Sequence, residues 1–456
     1  MTYFGTAGIR GPVEETVTPE LALAVGKAVG EPGRRVVVGR DGRETGPALA
    51  AAMEAGLESA GADVSRIGQV PTPTLAFASR GRHGVMITAS HNPAADNGIK
   101  LLADGVEYDR EAERAIEAQI DAPTQASWDE WGRHRTEDVL DAYRATVADY
   151  VRAQFGETSG PPLEGLSVAI DCGNGVGSLA SPQVLERLGA DVVGVNATID
   201  GHFPARASKP TAETLTDFSA FLEDGRFGLG LAHDGDADRL VVLDGDGTVV
   251  HEDTVLALVA RHYTETSDVE DPVVVTTPNA SARIDEQVRE AGGRVERVRL
   301  GALHEGIARV RENADSETAV VFAAEPWKHI HTAFGGWIDG VCSSAVVSAL
   351  VVEAGSLEAL RDPVTERPYR KVSIDCPDDR KESVMEALET TLPASFEGGD
   401  VDTNYGVRLE FPDASWLLVR PSGTEPYVRL YAESDDVEAL VADARVVIEQ
   451  AVEHAN

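Results

Sequence analysis

Short, largely apolar runs alternate with helix-length segments along almost the whole of this chain, and few architectures accommodate that alternation. Val36-Val37-Val38 stops at Gly39-Arg40-Asp41-Gly42, comparable runs lie at 85–88, 166–170, 229–232, 273–276 and 320–323, and a strand is also expected near 64–67. Such runs read as buried strands, each feeding a loop. Between them, Thr18-Pro19-Glu20 offers a capping residue with proline at the first helical position, and a helix is expected over about Gly46–Ser59. This order predicts parallel α/β layers.

At 456 residues the chain exceeds one core and suits three or four domains. The strand–helix grammar restarts after Gly160-Pro161-Pro162 and again at 273–276. The last segment differs: strands near 372–374, 407–410, 416–419 and 428–431, with helices near 378–391 and from about 436, fit an open α+β domain. The expected fold class is α/β, three successive similar α/β domains plus a C-terminal α+β domain. The divisions are 1–155, 156–252, 253–366 and 367–456.

Charge narrows the partners. Asp and Glu number 77 against 40 Lys and Arg, a formal charge of −37. So acidic a surface disfavours nucleic acid. Only six of the forty cations are lysine, and an acidic, lysine-poor surface suits high salt, so a halophilic source is expected. Three of the six fall inside motifs: Lys100 and Lys328 in those described next, and Lys209 in the stretch Phe203-Pro204, Lys209-Pro210 and Glu213. No apolar run reaches membrane-spanning length, the N-terminus has no signal-peptide character, and three scattered cysteines lack metal-ligand spacing. A cytoplasmic protein is expected, with no membrane partner.

Three loops carry chemistry. Thr88-Ala89-Ser90-His91-Asn92-Pro93 puts a serine at the carboxyl end of an expected strand, where open α/β sheets build their sites. The plainer reading is a serine turn. Ten residues on, Asn97-Gly98-Ile99-Lys100 supplies a rare lysine. Asp234-Gly235-Asp236-Ala237-Asp238-Arg239 follows another strand, and its three alternate carboxylates suit a hard cation with oxygen ligands. It is no EF-hand, because Gly245 stands where the twelfth-position glutamate belongs. The alternative is a solvated acidic loop. Arg420-Pro421-Ser422-Gly423-Thr424-Glu425-Pro426, with Arg429 beyond, can wrap a phosphate, or it can be a polar hairpin loop.

Weaker signals are Arg10 in a glycine-rich N-terminal loop, and Glu325-Pro326-Trp327-Lys328-His329 after a buried strand. Asp171-Cys172-Gly173-Asn174-Gly175-Val176-Gly177 lacks dinucleotide-site spacing and reads as a tight strand-to-helix turn. His233 and His304 stand alone, as structural histidines usually do.

Together these motifs resemble the α-D-phosphohexomutase superfamily over nearly the whole chain and in the family's motif order. The resemblance implies four domains around a central cleft, with one loop from each. It implies a phosphoserine at Ser90 and Mg²⁺ held by Ser90, Asp234, Asp236 and Asp238. Arg10, His91, Lys100 and Arg239 would surround the transferring phosphoryl group. Arg420, Ser422, Gly423, Thr424 and Arg429 would grip the non-reacting phosphate, and His304, Glu325, Lys328 and His329 would read the sugar. The implied reaction interconverts sugar 6-phosphates and 1-phosphates through a sugar 1,6-bisphosphate, in a monomer or homodimer. Most members read Glu-x-Ser-Gly-His at the sugar loop, so Trp327-Lys328 here is a departure that bears on which sugar is taken. A pentose mutase fits the same machinery. A metal phosphatase would need no second phosphate grip, and a mere binding protein would tolerate loss of Ser90 or the aspartates.

Overall fold

The structure, a computed structural model, describes residues 3–5, 8–122, 125–156, 160–423 and 425–455. It divides into two compact units: Met1–Val255 with Trp327–Leu360, and Leu256–Pro326 with Arg361–Asn456.

The first unit opens with β1 (Ile9–Pro12), β2 (Arg35–Arg40), β3 (Asp63–Gln69), β4 (His83–Ile87), β5 (Asp96–Ala103), β6 (Val106–Glu107) and β7 (His134–Thr136). Their order is β1-β5-β4-β2-β3-β7, with β6 paired to β5. The apolar runs account for the parallel centre, where Val36, Val37, Val38, Val85, Met86 and Ile87 are all buried. Thr18 caps the first helix by accepting from the Leu21 N–H at 3.3 Å. Helices Pro19–Val29 and Gly46–Ser59 approach closely because Gly26 and Gly56 meet at the crossing. A Cβ on Gly26 would lie 2.4 Å from the Met53 carbonyl oxygen.

The layers are not parallel throughout. Asn97-Gly98-Ile99-Lys100 lies on β5, which runs antiparallel to both β4 and β1. Asn97, Gly98 and Lys100 interrupt the apolar pattern, so periodicity does not announce this strand.

A second sheet holds β8 (Ser167–Asp171), β9 (Asp191–Val195), β10 (Leu229–Ala232) and β11 (Val241–Leu243) in the order β11-β10-β8-β9. β8, β9 and β10 are parallel, and β11 returns antiparallel to β10. The turn after Asp171 leads into a 3₁₀ helix at Val176–Leu179, as its glycines suggest.

In the second unit β12 (Asp271–Thr276) lies between β13 (Arg294–Arg297) and β14 (Thr318–Glu325), parallel to both. The short strand β15 (Lys328–Ile330) belongs to the first unit. The C-terminal segment builds β16 (Tyr369–Asp375), β17 (Asp400–Asp402), β18 (Val407–Glu410), β19 (Trp416–Pro421) and β20 (Tyr427–Glu433). That sheet is wholly antiparallel, in the order β16-β20-β19-β18-β17, and helices Lys381–Ser395 and Val437–His454 share its core. Three α/β sheets and one α+β sheet thus follow one another along the chain.

All three cysteines are buried and unpaired. Among the described residues, no helix is long and apolar enough to cross a membrane.

Candidate active site

Chain reversal at the carboxyl end of β4 brings the serine, lysine and arginine motifs of the first unit together. Ser90 follows β4, is 1% exposed, and adopts a left-handed backbone with φ 52°. β5 then turns back with Lys100 opposite Met86, and β1 places Arg10 opposite Gly98. A side chain at position 98 would collide with the Thr88 carbonyl oxygen at 2.4 Å and the Ile9 carbonyl oxygen at 2.7 Å. The glycine therefore lets the Arg10 strand pack beside the serine loop.

The aspartate loop spans the turn from β10 to β11. Ser90 Oγ donates to Asp234 Oδ2 at 2.7 Å and lies 3.3 Å from His91 Nδ1. Lys100 Nζ donates to Asp238 Oδ2 at 2.8 Å and stands 3.6 Å from Asp236 Oδ2. Arg239 Nε lies 3.7 Å from Asp234 and 3.9 Å from Asp238. Thr72 holds Asp236 twice, through its N–H at 2.9 Å to the carbonyl and its hydroxyl at 2.6 Å to Oδ2.

Electrostatics follow from burial. Burial, with Asp238 and Asp236 adding to it, raises the Asp234 carboxyl well above the usual range. Burial opposes the charge of Asp238 too, but Lys100, Arg239 and Lys328 outweigh it and hold that carboxyl below its usual value. Burial likewise opposes the Lys100 charge, yet Asp238, Asp236 and Glu107 win and lift it above the ordinary lysine value. Burial, then Arg239, Arg10 and Lys328, push the His91 imidazole down to about 3. Lys328 therefore lies within electrostatic reach of both the serine and aspartate loops.

The donor set fits a hard cation. One oxygen from each of Asp234, Asp236 and Asp238 falls within 4.8 Å of the others. Asp236 Oδ1 and Asp238 Oδ1 are buried with no hydrogen-bond donor. Buried carboxylate oxygens left without donors are costly unless a cation meets them, and an all-oxygen set suits Mg²⁺.

His233 braces this loop and takes no place in it. Its Nδ1 faces the Arg239 carbonyl at 2.6 Å and its Nε2 faces Ser181 Oγ at 2.7 Å. His329 is also buried, with Nδ1 3.1 Å from Ser343 Oγ, and burial pushes its imidazole down to about 4.

In the second unit, β19 and β20 set Arg420 opposite Arg429. Arg420 donates to the Tyr431 hydroxyl and Arg429 to the Tyr427 hydroxyl, both at 2.8 Å. The Nε atoms of both arginines are buried without an acceptor, an arrangement that suits an anion. Ser422 is buried, Gly423 is exposed with open space at its Cα, and Thr424 lies outside the described residues. Glu325 ends β14 and His304 sits in the first turn of helix Leu303–Asn313, both half-buried.

Two contributors escaped sequence reasoning. Lys381 Nζ donates to the carbonyls of Ser422 at 2.7 Å and Glu425 at 2.6 Å, and so shapes the arginine loop. Its signal was the scarcity of lysine. The second is the Asp41–Arg43 pair, buried beneath the serine loop at 3.1 Å, which no local pattern announces.

Comparison with known proteins agrees with this geometry. Residues 1–127 match the phosphoglucomutase/phosphomannomutase alpha/beta/alpha domain I, 143–247 match domain II, and 372–449 match the C-terminal domain. A phosphopentomutase of Thermococcus kodakarensis is 41% identical over 442 residues, covering 95% of this chain and 94% of that protein. A probable phosphoglucosamine mutase of Methanopyrus kandleri is 41% identical over 448 residues, covering 96% and 94%. The crystal structure of a phosphoglucomutase/phosphomannomutase family protein from Burkholderia thailandensis superposes with a TM-score of 0.86 at 27% identity, covering 100% of this chain and 98% of that one. With full-length relatives at this identity, the chain belongs to the α-D-phosphohexomutase superfamily and is a phosphosugar mutase.

Proposed function

We propose that the enzyme interconverts hexose or hexosamine 6-phosphates and 1-phosphates, with Ser90 as phosphoryl carrier and a sugar 1,6-bisphosphate as intermediate. The observation that carries this is Ser90 Oγ at 2.7 Å from Asp234, in a cluster where Asp236 Oδ1 and Asp238 Oδ1 still lack donors. Ser90, Asp234, Asp236 and Asp238 would hold Mg²⁺, which supplies neutralisation of the phosphoryl oxygens.

In the forward half-reaction a sugar hydroxyl oxygen bonds to phosphorus as the bond from phosphorus to Ser90 Oγ breaks. The hydroxyl proton leaves to a base, for which Lys100, His91 and His304 are the candidates, and His91 and Lys100 belong to the same cluster as Ser90. Arg10, Lys100 and Arg239 offset the charge of two phosphates in an acidic protein. The bisphosphate then turns over, and Ser90 Oγ takes the other phosphoryl group. Arg420, Ser422, Gly423, Thr424 and Arg429 hold the idle phosphate at either end of the sugar. His304, Glu325, Lys328 and His329 contact the sugar. Four domains, bounded near 155, 252 and 366, would each supply one loop.

A pentose reading has support of its own. The phosphopentomutase relative is as similar as the phosphoglucosamine mutase, and Trp327-Lys328 departs from the usual hexose loop. The test is a panel of glucose, mannose, glucosamine and ribose phosphates with Mg²⁺ and sugar bisphosphate, run beside intact-mass analysis. Ser90 should carry one phosphoryl group, and Ser90→Ala should lose nearly all turnover. A Ser90→Ala variant with near-native rates sinks the phosphoserine mechanism.

A further inference from the structure

Ser90 is one of few non-glycine residues in this structure with a left-handed backbone. Such a conformation persists only where its surroundings over-determine it. Its surroundings are dominated by Arg43, 1% exposed, whose guanidinium has five N–H donors in a fixed fork. All five find acceptors. Nε donates to Asp41 Oδ2 at 3.1 Å. Nη1 donates to the carbonyls of Pro93 and, at 2.8 Å, Asp96. Nη2 donates to the carbonyls of Ser90 at 2.9 Å and Asn92 at 2.7 Å.

Four of those acceptors are main-chain carbonyls, three in the loop that carries Ser90 and one at Asp96, where β5 begins. Asp41 completes the clamp from the other side. Thr88 Oγ1 donates to Asp41 Oδ2 at 2.7 Å and accepts from the Ser90 N–H at 2.9 Å. The Asp41–Arg43 pair thus fixes Ser90 at its carbonyl directly and at its amide through Thr88. The aspartate loop rests on the same point. A Cβ on Gly235 would lie 2.8 Å from the Ser90 carbonyl oxygen and 3.2 Å from the Phe203 ring, and that ring lies 5.1 Å from the Arg43 guanidinium.

We propose that Arg43 is a positioning residue of the phosphoryl transfer: by gathering the carbonyls of Ser90, Asn92, Pro93 and Asp96 it holds Ser90 left-handed, with Oγ aimed at the aspartate loop. The inference rests on the reading of Ser90 as phosphoryl carrier. Lysine cannot replace it, because an ammonium has three donors and no planar fork. Arg43 is buried and bonds the Ser90 carbonyl rather than Ser90 Oγ, so its effect is on geometry. A misplacement of about 1 Å at a reacting group costs about a hundredfold in rate.

The test compares Arg43→Lys and Thr88→Val with the native enzyme, well below each melting midpoint as judged by circular dichroism. Thr88→Val keeps the buried ion pair and removes only the hydroxyl between Asp41 and the Ser90 amide. We expect kcat to fall about a hundredfold in Arg43→Lys, with KM for the sugar phosphate changed less than about threefold. Thr88→Val should show a smaller loss of the same kind. Intact mass after incubation with sugar 1,6-bisphosphate should show slower phosphorylation of Ser90 in both. Folded variants with kcat near native, or losses that merely track the unfolded fraction, would overturn the proposal. If Arg43→Lys does not fold, Thr88→Val decides: a near-native kcat there overturns it. Native enzyme that turns over without phosphate on Ser90 would instead remove the carrier reading itself.

Discussion

Arg420 and Arg429 face each other in register across β19 and β20, two permanent positive charges on adjacent strands, each with a buried Nε that meets no acceptor. Like charges directly opposite on a sheet destabilise it, by about 0.2–1 kcal/mol. Arg429→Met should therefore leave the unliganded melting temperature unchanged or slightly raised. It should also raise KM for sugar phosphates by about 10- to 100-fold, as expected for loss of a charge-assisted hydrogen bond of about 1.5–3 kcal/mol. Thermal melts with and without inorganic phosphate check both halves, and phosphate stabilisation that survives the substitution refutes the grip.

Removing one carboxylate from the aspartate loop should separate metal binding from folding. Asp236→Asn keeps an acceptor for the Thr72 hydroxyl and relieves repulsion among three buried carboxylates. The apo protein should melt no lower than the native one. Mg²⁺ affinity, read by calorimetry, should fall at least about tenfold, ~1.4 kcal/mol. Unchanged Mg²⁺ binding would make the loop structural.

Lys328 stands where the family's sugar loop usually carries a small residue, and its charge is felt at both His91 and Asp238. Lys328→Ala should change relative kcat/KM among glucose, mannose, glucosamine and ribose phosphates by about tenfold or more, the scale of one charge-assisted hydrogen bond. A uniform small loss across the four sugars would leave Lys328 without a role in selection.

Asp339 gives a pH signature distinct from catalysis. It caps helix Gly340–Ala354 by accepting from the Cys342 N–H at 2.8 Å, and it accepts from the Tyr143 hydroxyl and the Trp337 indole. Burial, against those donors, pushes its carboxyl up to about 6 from 3.8. A raised value means the folded state binds the proton more tightly. That stabilisation is fully present below about pH 4 and is lost as pH rises through 6. The melting temperature of the native enzyme relative to Asp339→Asn should fall across that window. A flat difference shows that Asp339 does not titrate there.

The apolar runs made the parallel strands legible, and Gly46–Ser59 forms as a helix over the expected residues. Ser90, the aspartate loop and the Arg420 loop stood out because glycine, proline and charge cluster there in fixed order. β5 was not legible: Asn97, Gly98 and Lys100 break an apolar pattern that burial on both faces would otherwise demand. The contact of His329 Nδ1 with Ser343 was not legible either, because no local pattern encodes it.

What the chain determined by itself is what depends on neighbours in sequence: strand runs, helix starts, the chemistry of three loops, and a charge that disfavours nucleic acid. What only the tertiary structure decided is which distant groups share a charge environment. Lys100 meets Asp238 138 positions away, and Ser90 meets Asp234 across 144. Arg43 fills four of its five donors 47 to 53 positions downstream and the fifth at Asp41. A buried charge is tolerated only where partners converge on it, and convergence is a property of the folded backbone that spacing along the chain does not contain.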